Sequence, residues 1–332
     1  MKNWLVAIAI IIVGGAAGAG ASFVYWQAQP AGIATEEIEV LIEAGTSPRS
    51  VAGLLEDAGV VSNAGLFYGY IRILGVGPEL QAGTFVVAPL TTRRALVKQL
   101  QRAPGPPTVL VTIPEGYRAT QIAARLAEAG VVQQEDFLSL FQETDLLAEL
   151  GIDADRFEGY LYPDTYEFVR GTAAEDVVRV LVRRWWSVWN SGLANDAEAL
   201  GWTPHRVVTL ASIVEKETGA AVERPIIAGV FRRRLEIGMK LQADPTIIYG
   251  LSNYDGNIRK RDIQDPHPWN TYVHYGLPPT PICSPGRHAM DAVLHPDDGD
   301  SLYFVAKADG TGLHDFSSTY KEHASKVRKY RP

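Results

Sequence analysis

A strand–helix pattern recurs in the first half of the chain at a constant offset of about 70 residues. The first copy comprises Val40–Gly45 and Val51–Val61, and the second comprises Val111–Gly116 and Ile122–Val132. Each copy predicts a strand with alternating apolar residues, a glycine turn and an amphipathic helix that ends at a glycine. The repeat therefore predicts two small strand–helix units, residues 36–104 and 108–150, with a proline-rich hinge between them.

Further elements are expected inside these units. A second helix follows the first in both copies, over 63–74 and over 134–150, and Gly83–Val87 is predicted as a strand and Thr92–Leu100 as a helix. Repeated units of this kind can bind a ligand outside the cell, or they can serve as spacers that lift a domain off a membrane. The repeat by itself favours neither role.

The N-terminus is free of charge from Asn3 to Thr35. The apolar run Trp4–Trp26 has the roughly 20 residues that are needed to span a bilayer, with aromatic residues at both ends. Lys2 precedes the run and three glutamates follow Thr35, which favours a cytoplasmic N-terminus and a body outside the cytoplasm. The alternative is a cleaved signal peptide, since Ala19–Ala21 resembles a cleavage site.

We therefore expect a single-pass protein of the plasma (cell inner) membrane with a periplasmic or extracytoplasmic body. The predicted organisation is a cytoplasmic tip and transmembrane helix over 1–26, a linker over 27–35, the two units, and a larger domain over 155–332.

Composition excludes several classes of protein. The net charge of −7 and the lack of a basic block argue against a nucleic-acid partner. The single cysteine, Cys283, excludes an internal disulfide and a cysteine-based zinc site. The sequence contains no Gly-x-Ser-x-Gly elbow, no His-Glu-x-x-His helix and no phosphate-binding glycine loop, so we predict neither a metal nor another cofactor.

The larger domain mixes helices and strands without regular alternation, which predicts an α+β fold. Expected elements are an amphipathic helix over 172–190 with its tryptophans in the core, a helix over 221–237, a hairpin over 302–316 and a final helix over 318–330.

Glu215 is the first candidate for chemistry. Thr203 and Pro204 are suited to the start of a helix. On that helix Glu215 falls on the same side as Ala211 and Val208, so its carboxyl group is expected to be partly desolvated, with a raised pKa. A carboxyl that stays protonated near neutral pH can act as a general acid. The alternative is a glutamate at a helix end whose carboxylate reaches water.

Two polar stretches are the other candidates, residues 241–250 and 269–279. They offer hydrogen-bonding side chains for a polyhydroxyl ligand: Gln242, Asp244, Thr246, Tyr249, Asn270 and Tyr272. The alternative interpretation is a pair of proline- and asparagine-built turns that fix the geometry of loops.

Together these motifs resemble the endolytic murein transglycosylases, the YceG-like family. The strings that carry the resemblance include Ala211–Thr218, Gly238–Thr246, Asn270–Tyr272, Gly276–Pro279 and Leu302–Val305. The resemblance extends from about residue 38 to the end of the chain. Trp269, where the family usually has tyrosine, and Cys283 are the departures.

The resemblance implies an enzyme that cleaves peptidoglycan strands internally, between N-acetylmuramic acid and N-acetylglucosamine, and leaves a 1,6-anhydromuramic end. It also implies a membrane anchor, a LysM-like N-terminal region that binds the cell wall, and peptidoglycan synthases (penicillin-binding proteins) as partners. The catalytic glutamate of the family carries over to Glu215, which would act first as acid and then as base. Glu217 is the competing acid, about 200° around the helix. A non-catalytic wall-binding scaffold is the alternative function.

Overall fold

The computed structural model describes residue 20 and residues 22–105 and 108–330. The chain divides into two compact units between residues 107 and 108, and each unit has its own hydrophobic core. Within the described residues, six short strands form three antiparallel two-stranded sheets, and helices make up most of the remaining regular structure. The predicted α+β class is confirmed at this level.

The first unit follows the predicted order of elements. Its members are β1 (Ile38–Ile42), α1 (Pro48–Asp57), α2 (Ala64–Leu74), β2 (Gly83–Val87) and α3 (Arg93–Leu100). All three helices begin at a side chain that accepts a hydrogen bond from the first turn, namely Ser47, Asn63 and Thr92. β1 pairs with β2, and the buried faces of both strands pack with the helices into one core.

The second unit holds the remaining elements. The strands are β3 (Thr108–Thr112), β4 (Thr165–Val169), β5 (Tyr303–Ala306) and β6 (His314–Ser317). The helices are α4 (Ala119–Glu128), α5 (Gln134–Ser139), α6 (Thr144–Glu149), α7 (Ala174–Val188), α8 (Ala194–Ala199), α9 (Pro204–Glu217), α10 (Arg224–Glu236), α11 (Asp244–Gly250), α12 (Lys260–Ile263), α13 (Arg287–Leu294) and α14 (Tyr320–Tyr330).

Residues 108–150, predicted as a separate unit, are built into this second unit. β3 pairs with β4, which lies beyond residue 155, and Val111 is opposite Tyr166. One core runs from Val111 in β3 to Leu294 in α13. The predicted boundary near residue 155 is therefore not a boundary between compact units, because the second copy of the repeat obtains its partner strand from the region that follows it.

The predicted second helix of this copy, over 134–150, is broken into α5 and α6. The Phe141 carbonyl, between the two helices, accepts a hydrogen bond from the Phe157 N–H at 3.0 Å. The helix α7 agrees with its prediction: Trp185 is fully buried and stacks on Trp189 with ring centroids 5.4 Å apart. The final hairpin and helix also form where they were expected, as β5, β6 and α14.

The predicted membrane span falls largely on residues 1–19 and 21, outside the described part of the chain. Residues 22–27 are helical. Among the residues that the structure describes, no helix has both the length and the apolar character needed to cross a membrane.

Candidate active site

The helix α9 carries both candidate glutamates in its last turn. It begins as predicted, with the Thr203 hydroxyl accepting a hydrogen bond from the Arg206 N–H at 3.2 Å and with Pro204 in the first turn. Residues 207–214 are all buried, and α9 packs against α10, α11 and α13. The chain becomes extended at Thr218, so the helix ends immediately after Glu217.

Glu215 lies in a polar contact between α9, α10 and the start of α13. Its side chain is 7% exposed. One carboxylate oxygen accepts a hydrogen bond from the Gly286 N–H at 3.1 Å, and the other lies 3.3 Å from Arg224 Nη2. The same Arg224 nitrogen is 3.9 Å from the Glu115 carboxylate.

These contacts act on the pKa of Glu215 in both directions. Burial raises the pKa, as the sequence predicted, and the nearby Glu115 carboxylate raises it further. The Gly286 N–H and the Arg224 guanidinium oppose this shift, since both stabilise the charged carboxylate. Glu215 is thus desolvated, but both of its oxygens are already engaged by groups that favour ionisation.

Glu217 faces a different environment, a cavity of about 520 Å³. The pKa of Glu217 is raised to about 8, chiefly by burial and then by the Asp244 carboxylate, against the opposing charge of Arg234. A carboxyl group with this pKa is largely protonated at neutral pH. Glu217 therefore presents a neutral acid to the cavity, and Glu215 does not line that cavity.

Three of the six predicted binding residues line the same cavity as Glu217: Gln242, Asp244 and Tyr272. The Tyr272 hydroxyl donates a hydrogen bond to the Asp244 carboxylate at 2.6 Å. Gln242 has a φ of 50°, a left-handed conformation that is uncommon for a residue with a side chain. Strained backbone of this kind is concentrated at functional sites, and here it sits in the cavity wall.

Thr246 and Asn270 instead hold the surrounding loops together. Both are fully buried. The Asn270 amide donates to the carbonyls of Asp262, Ile263 and Asp265, and its oxygen accepts from the Tyr272 N–H. The Thr246 hydroxyl bonds within the same core, to the Ala243 carbonyl at 2.6 Å. The polar groups of these two residues are thus used inside the protein, where they hold the loops around the cavity, and a direct contact with a ligand stays a prediction.

Tyr249, the sixth predicted binding residue, belongs to a separate buried network and does not line the cavity. Its hydroxyl donates to Glu158 at 2.9 Å, and the other oxygen of Glu158 accepts from the Ala119 N–H at the start of α4. The pKa of Glu158 is raised to about 7, chiefly by burial, although these hydrogen bonds lower it. Sequence reasoning missed Glu158, because no local pattern shows that it is buried.

Sequence reasoning also missed two further residues of the cavity, Arg234 and His314. The Arg234 guanidinium donates to the carbonyls of Leu302 and Leu241, at 2.7 and 2.5 Å, and so joins the hairpin to the start of α11. His314 contacts Glu223 through its ring and its backbone N–H. Both residues are remote from Glu217 in the sequence, so no local pattern shows that they share its cavity.

The part of the chain that the structure describes contains no cluster of residues suited to a metal centre. No group of three or more His, Cys, Asp or Glu side chains is placed there to hold an ion. The only cysteine, Cys283, is buried with its thiol 3.3 Å from the Ser212 carbonyl.

A cavity that brings a protonated carboxyl group together with a second carboxylate and hydroxyl groups is typical of enzymes that act on glycosidic bonds. The chain belongs to the YceG-like family, whose model matches residues 40–329. The family predicted from the sequence is confirmed.

Two relatives with assigned names are both called endolytic murein transglycosylase. The protein from Bacillus subtilis is 28% identical over 311 residues, which are 88% of this chain and 84% of that protein. The protein from Streptococcus pneumoniae is 30% identical over 302 residues, which are 81% of this chain but 54% of that protein. This chain therefore spans about half the length of the pneumococcal relative.

The fold has a counterpart among solved structures. The crystal structure of a putative yceG-like protein from Listeria monocytogenes is 31% identical, with a TM-score of 0.62. The match covers 88% of this chain and 99% of the Listeria chain.

Proposed function

We propose that this protein is an endolytic murein transglycosylase, a lyase that cleaves peptidoglycan strands internally, with Glu217 as the general acid. The names of the relatives support the activity, and the family match over 40–329 supports its extension to this chain. The observation that carries the choice of acid is the shared cavity of Glu217, Asp244, Tyr272 and Gln242.

The proposed reaction breaks the glycosidic bond between N-acetylmuramic acid and N-acetylglucosamine. Glu217, protonated at neutral pH, gives its proton to the glycosidic oxygen as the bond breaks. The Asp244 carboxylate stabilises the positive charge that develops on the sugar ring. The muramyl 6-hydroxyl then attacks the anomeric carbon within the same molecule and gives up its proton to a base in the cavity, which yields the 1,6-anhydro end. Such an internal nucleophile has a high effective concentration and requires no activated water.

Glu215 remains the alternative acid. Its geometry supports it less well, because the Gly286 N–H and the Arg224 guanidinium occupy its two oxygens and stabilise the carboxylate. In this proposal Glu215 holds the start of α13 and the Arg224 side chain against the end of α9. It positions the catalytic turn instead of donating the proton.

The matched pair Glu217→Gln and Glu215→Gln tests this assignment. With purified glycan strands, we expect Glu217→Gln to lose at least about 1,000-fold in the rate of release of anhydro products, while Glu215→Gln loses about 10-fold or less. Circular dichroism and thermal melting establish that both variants are folded. If Glu215→Gln is inactive and Glu217→Gln retains activity, the roles are reversed.

Mass spectrometry of the wild-type products tests the reaction type. Anhydro ends are lighter by one water than the reducing ends that a hydrolase would leave. A folded wild-type protein that binds glycan strands but releases neither product would instead be a non-catalytic scaffold.

We propose that residues 1–26 anchor the protein in the plasma membrane with the N-terminus in the cytoplasm, so that the body acts in the periplasmic or extracytoplasmic space. The β1–α1–α2–β2 order of the first unit supports a LysM-like, wall-binding role. Peptidoglycan synthases of the penicillin-binding class are the proposed partners.

A further inference from the structure

A histidine–carboxylate pair, His314 and Glu223, forms part of the wall of the cavity that holds Glu217. The Glu223 carboxylate is buried, with 7% of its side chain exposed. One of its oxygens accepts from the His314 backbone N–H at 2.8 Å, and the other lies 2.8 Å from His314 Nδ1. Because a carboxylate only accepts hydrogen bonds, this contact places the ring proton on Nδ1 and leaves a lone pair on Nε2.

The ring of His314 is held in place, and its second nitrogen stays available. Phe304 packs edge-on against the ring with centroids 5.4 Å apart, and Phe316 lies on another side at 6.4 Å. Nε2 has no hydrogen-bond partner among the described residues, while the side chain lines the cavity. A ring oriented by a hydrogen bond at one nitrogen, in the wall of a cavity and with the other nitrogen unbonded, is the arrangement of a histidine that exchanges protons with a ligand.

The pair is also connected to the end of α9. Thr218, the residue after Glu217, has its hydroxyl 3.5 Å from Glu223. Glu217 comes from α9 and His314 from β6, so the two groups reach the cavity from different elements. The cleavage reaction moves two protons, one onto the leaving oxygen and one off the muramyl 6-hydroxyl, and this cavity contains a group suited to each.

We propose that His314 is a second catalytic residue, the base that removes the proton of the muramyl 6-hydroxyl while Glu217 protonates the leaving oxygen. This inference rests on the proposed function. Glu223 is a positioning residue in this scheme, because it fixes the tautomer and the orientation of the imidazole.

The proposed step balances. The bond between the 6-oxygen and the anomeric carbon forms as the bond between the anomeric carbon and the leaving oxygen breaks. The Glu217 proton goes to the leaving oxygen, and the 6-hydroxyl proton goes to His314 Nε2. The step ends with a Glu217 carboxylate and a His314 imidazolium, and return of one proton from His314 to Glu217, directly or through water, restores both groups.

His314→Ala tests the proposal, because the variant keeps the backbone N–H that bonds to Glu223. With glycan strands we expect kcat to fall by about 100-fold or more while KM stays within about threefold of wild type. Added imidazole should enter the space left by the ring and raise the kcat of the variant at least tenfold above its value without imidazole. Glu223→Gln should lower kcat in the same direction but should not respond to imidazole, since its histidine is still present.

The control is His288→Ala, an exposed histidine on α13 that does not line the cavity, and it should match wild type with and without imidazole. Retention of wild-type kcat by His314→Ala would overturn the proposal, and so would a loss of kcat that imidazole does not restore in a folded variant. If His314→Ala does not fold, His314→Gln takes its place, and a kcat within threefold of wild type for that variant is again the overturning result. Failure of the proposed function is distinguishable, because wild type itself would then release no anhydro product.

Discussion

Two glutamates only two residues apart both have a pKa raised by burial, but they meet different partners. Glu215 meets a guanidinium and a backbone N–H, which stabilise negative charge. Glu217 is buried at the wall of a cavity and meets the Asp244 carboxylate there, and both its burial and that carboxylate disfavour negative charge. The two differ by about 200° around α9, and that rotation alone directs them to different neighbours.

The pH dependence of cleavage should report Glu217. Its pKa is about 8, and the reaction requires the protonated form, so kcat/KM should fall about tenfold per pH unit above pH 8. Initial rates of anhydro product release between pH 6 and 10 measure this. The Glu215→Gln variant should keep the same alkaline limb. A rate that stays level to pH 10 would contradict the assignment of Glu217 as acid.

At the scale of elements, the turn before β4 shows how tightly the second unit is assembled. Gly159 has a φ of 88°, in the left-handed region that disfavours side chains. A methyl group placed there would lie 2.6 Å from Pro281 and 3.2 Å from a methyl of Val208 on α9. This glycine lets three segments that are far apart in sequence approach one another.

Gly159→Ala should therefore destabilise the protein by about 2–4 kcal/mol, from backbone strain together with the steric clash. Gly171→Ala is the matched control, since Gly171 has a φ of 73° but no atom within 4 Å of an added methyl group. It should cost only about 1 kcal/mol. Guanidinium unfolding curves of both variants with a common slope give the comparison, and equal losses would refute the close packing at Gly159.

Periodicity predicted the long helices well and missed some of the short elements. The helices α7 and α9 carry continuous apolar faces, so their positions follow from sequence. The short helix α11, seven residues with Pro245 in its first turn, was not predicted as a helix, because its polar side chains hide the pattern. The strand β4 was missed because its alternation lies in an aromatic, turn-rich stretch.

The site was only partly predictable. The sequence singled out Gln242, Asp244 and Tyr272 as hydrogen-bonding side chains in two polar stretches, and all three line the cavity. The local sequence pattern could not distinguish them from Asn270, whose amide nitrogen donates to three backbone carbonyls inside the protein. His314 could not be assigned at all, because its partner Glu223 is 91 residues away and only the folded chain brings them together.

At the scale of the whole molecule, the candidate catalytic machinery lies within one compact unit. The cavity, both glutamates and the His314–Glu223 pair all fall within residues 108–332. That unit has a continuous core from Val111 to Leu294, and β3 contributes to it although the repeat had suggested a separate module.

A fragment of residues 108–332 should consequently fold by itself and cleave soluble glycan strands at a rate within about threefold of the full chain. Its binding to intact cell-wall sacculi should be weaker, because the fragment lacks the proposed wall-binding unit. The same fragment carrying Glu217→Gln is the control for activity, and sedimentation with sacculi measures binding. A fragment that fails to melt cooperatively would show that the second unit depends on the first.

The closeness of Glu217 and Asp244 has a consequence for inhibition. In the resting enzyme Glu217 is neutral, so the cavity holds less negative charge than its residues suggest. Once the proton has been transferred, two carboxylates act on each other across a confined space until one is neutralised. A positively charged sugar mimic would find its best partner in the form with both carboxylates ionised, which deprotonation of Glu217 at higher pH also produces. Its affinity should therefore strengthen as pH rises through about 8, so that such a drug would be most potent under the conditions in which the enzyme is least active.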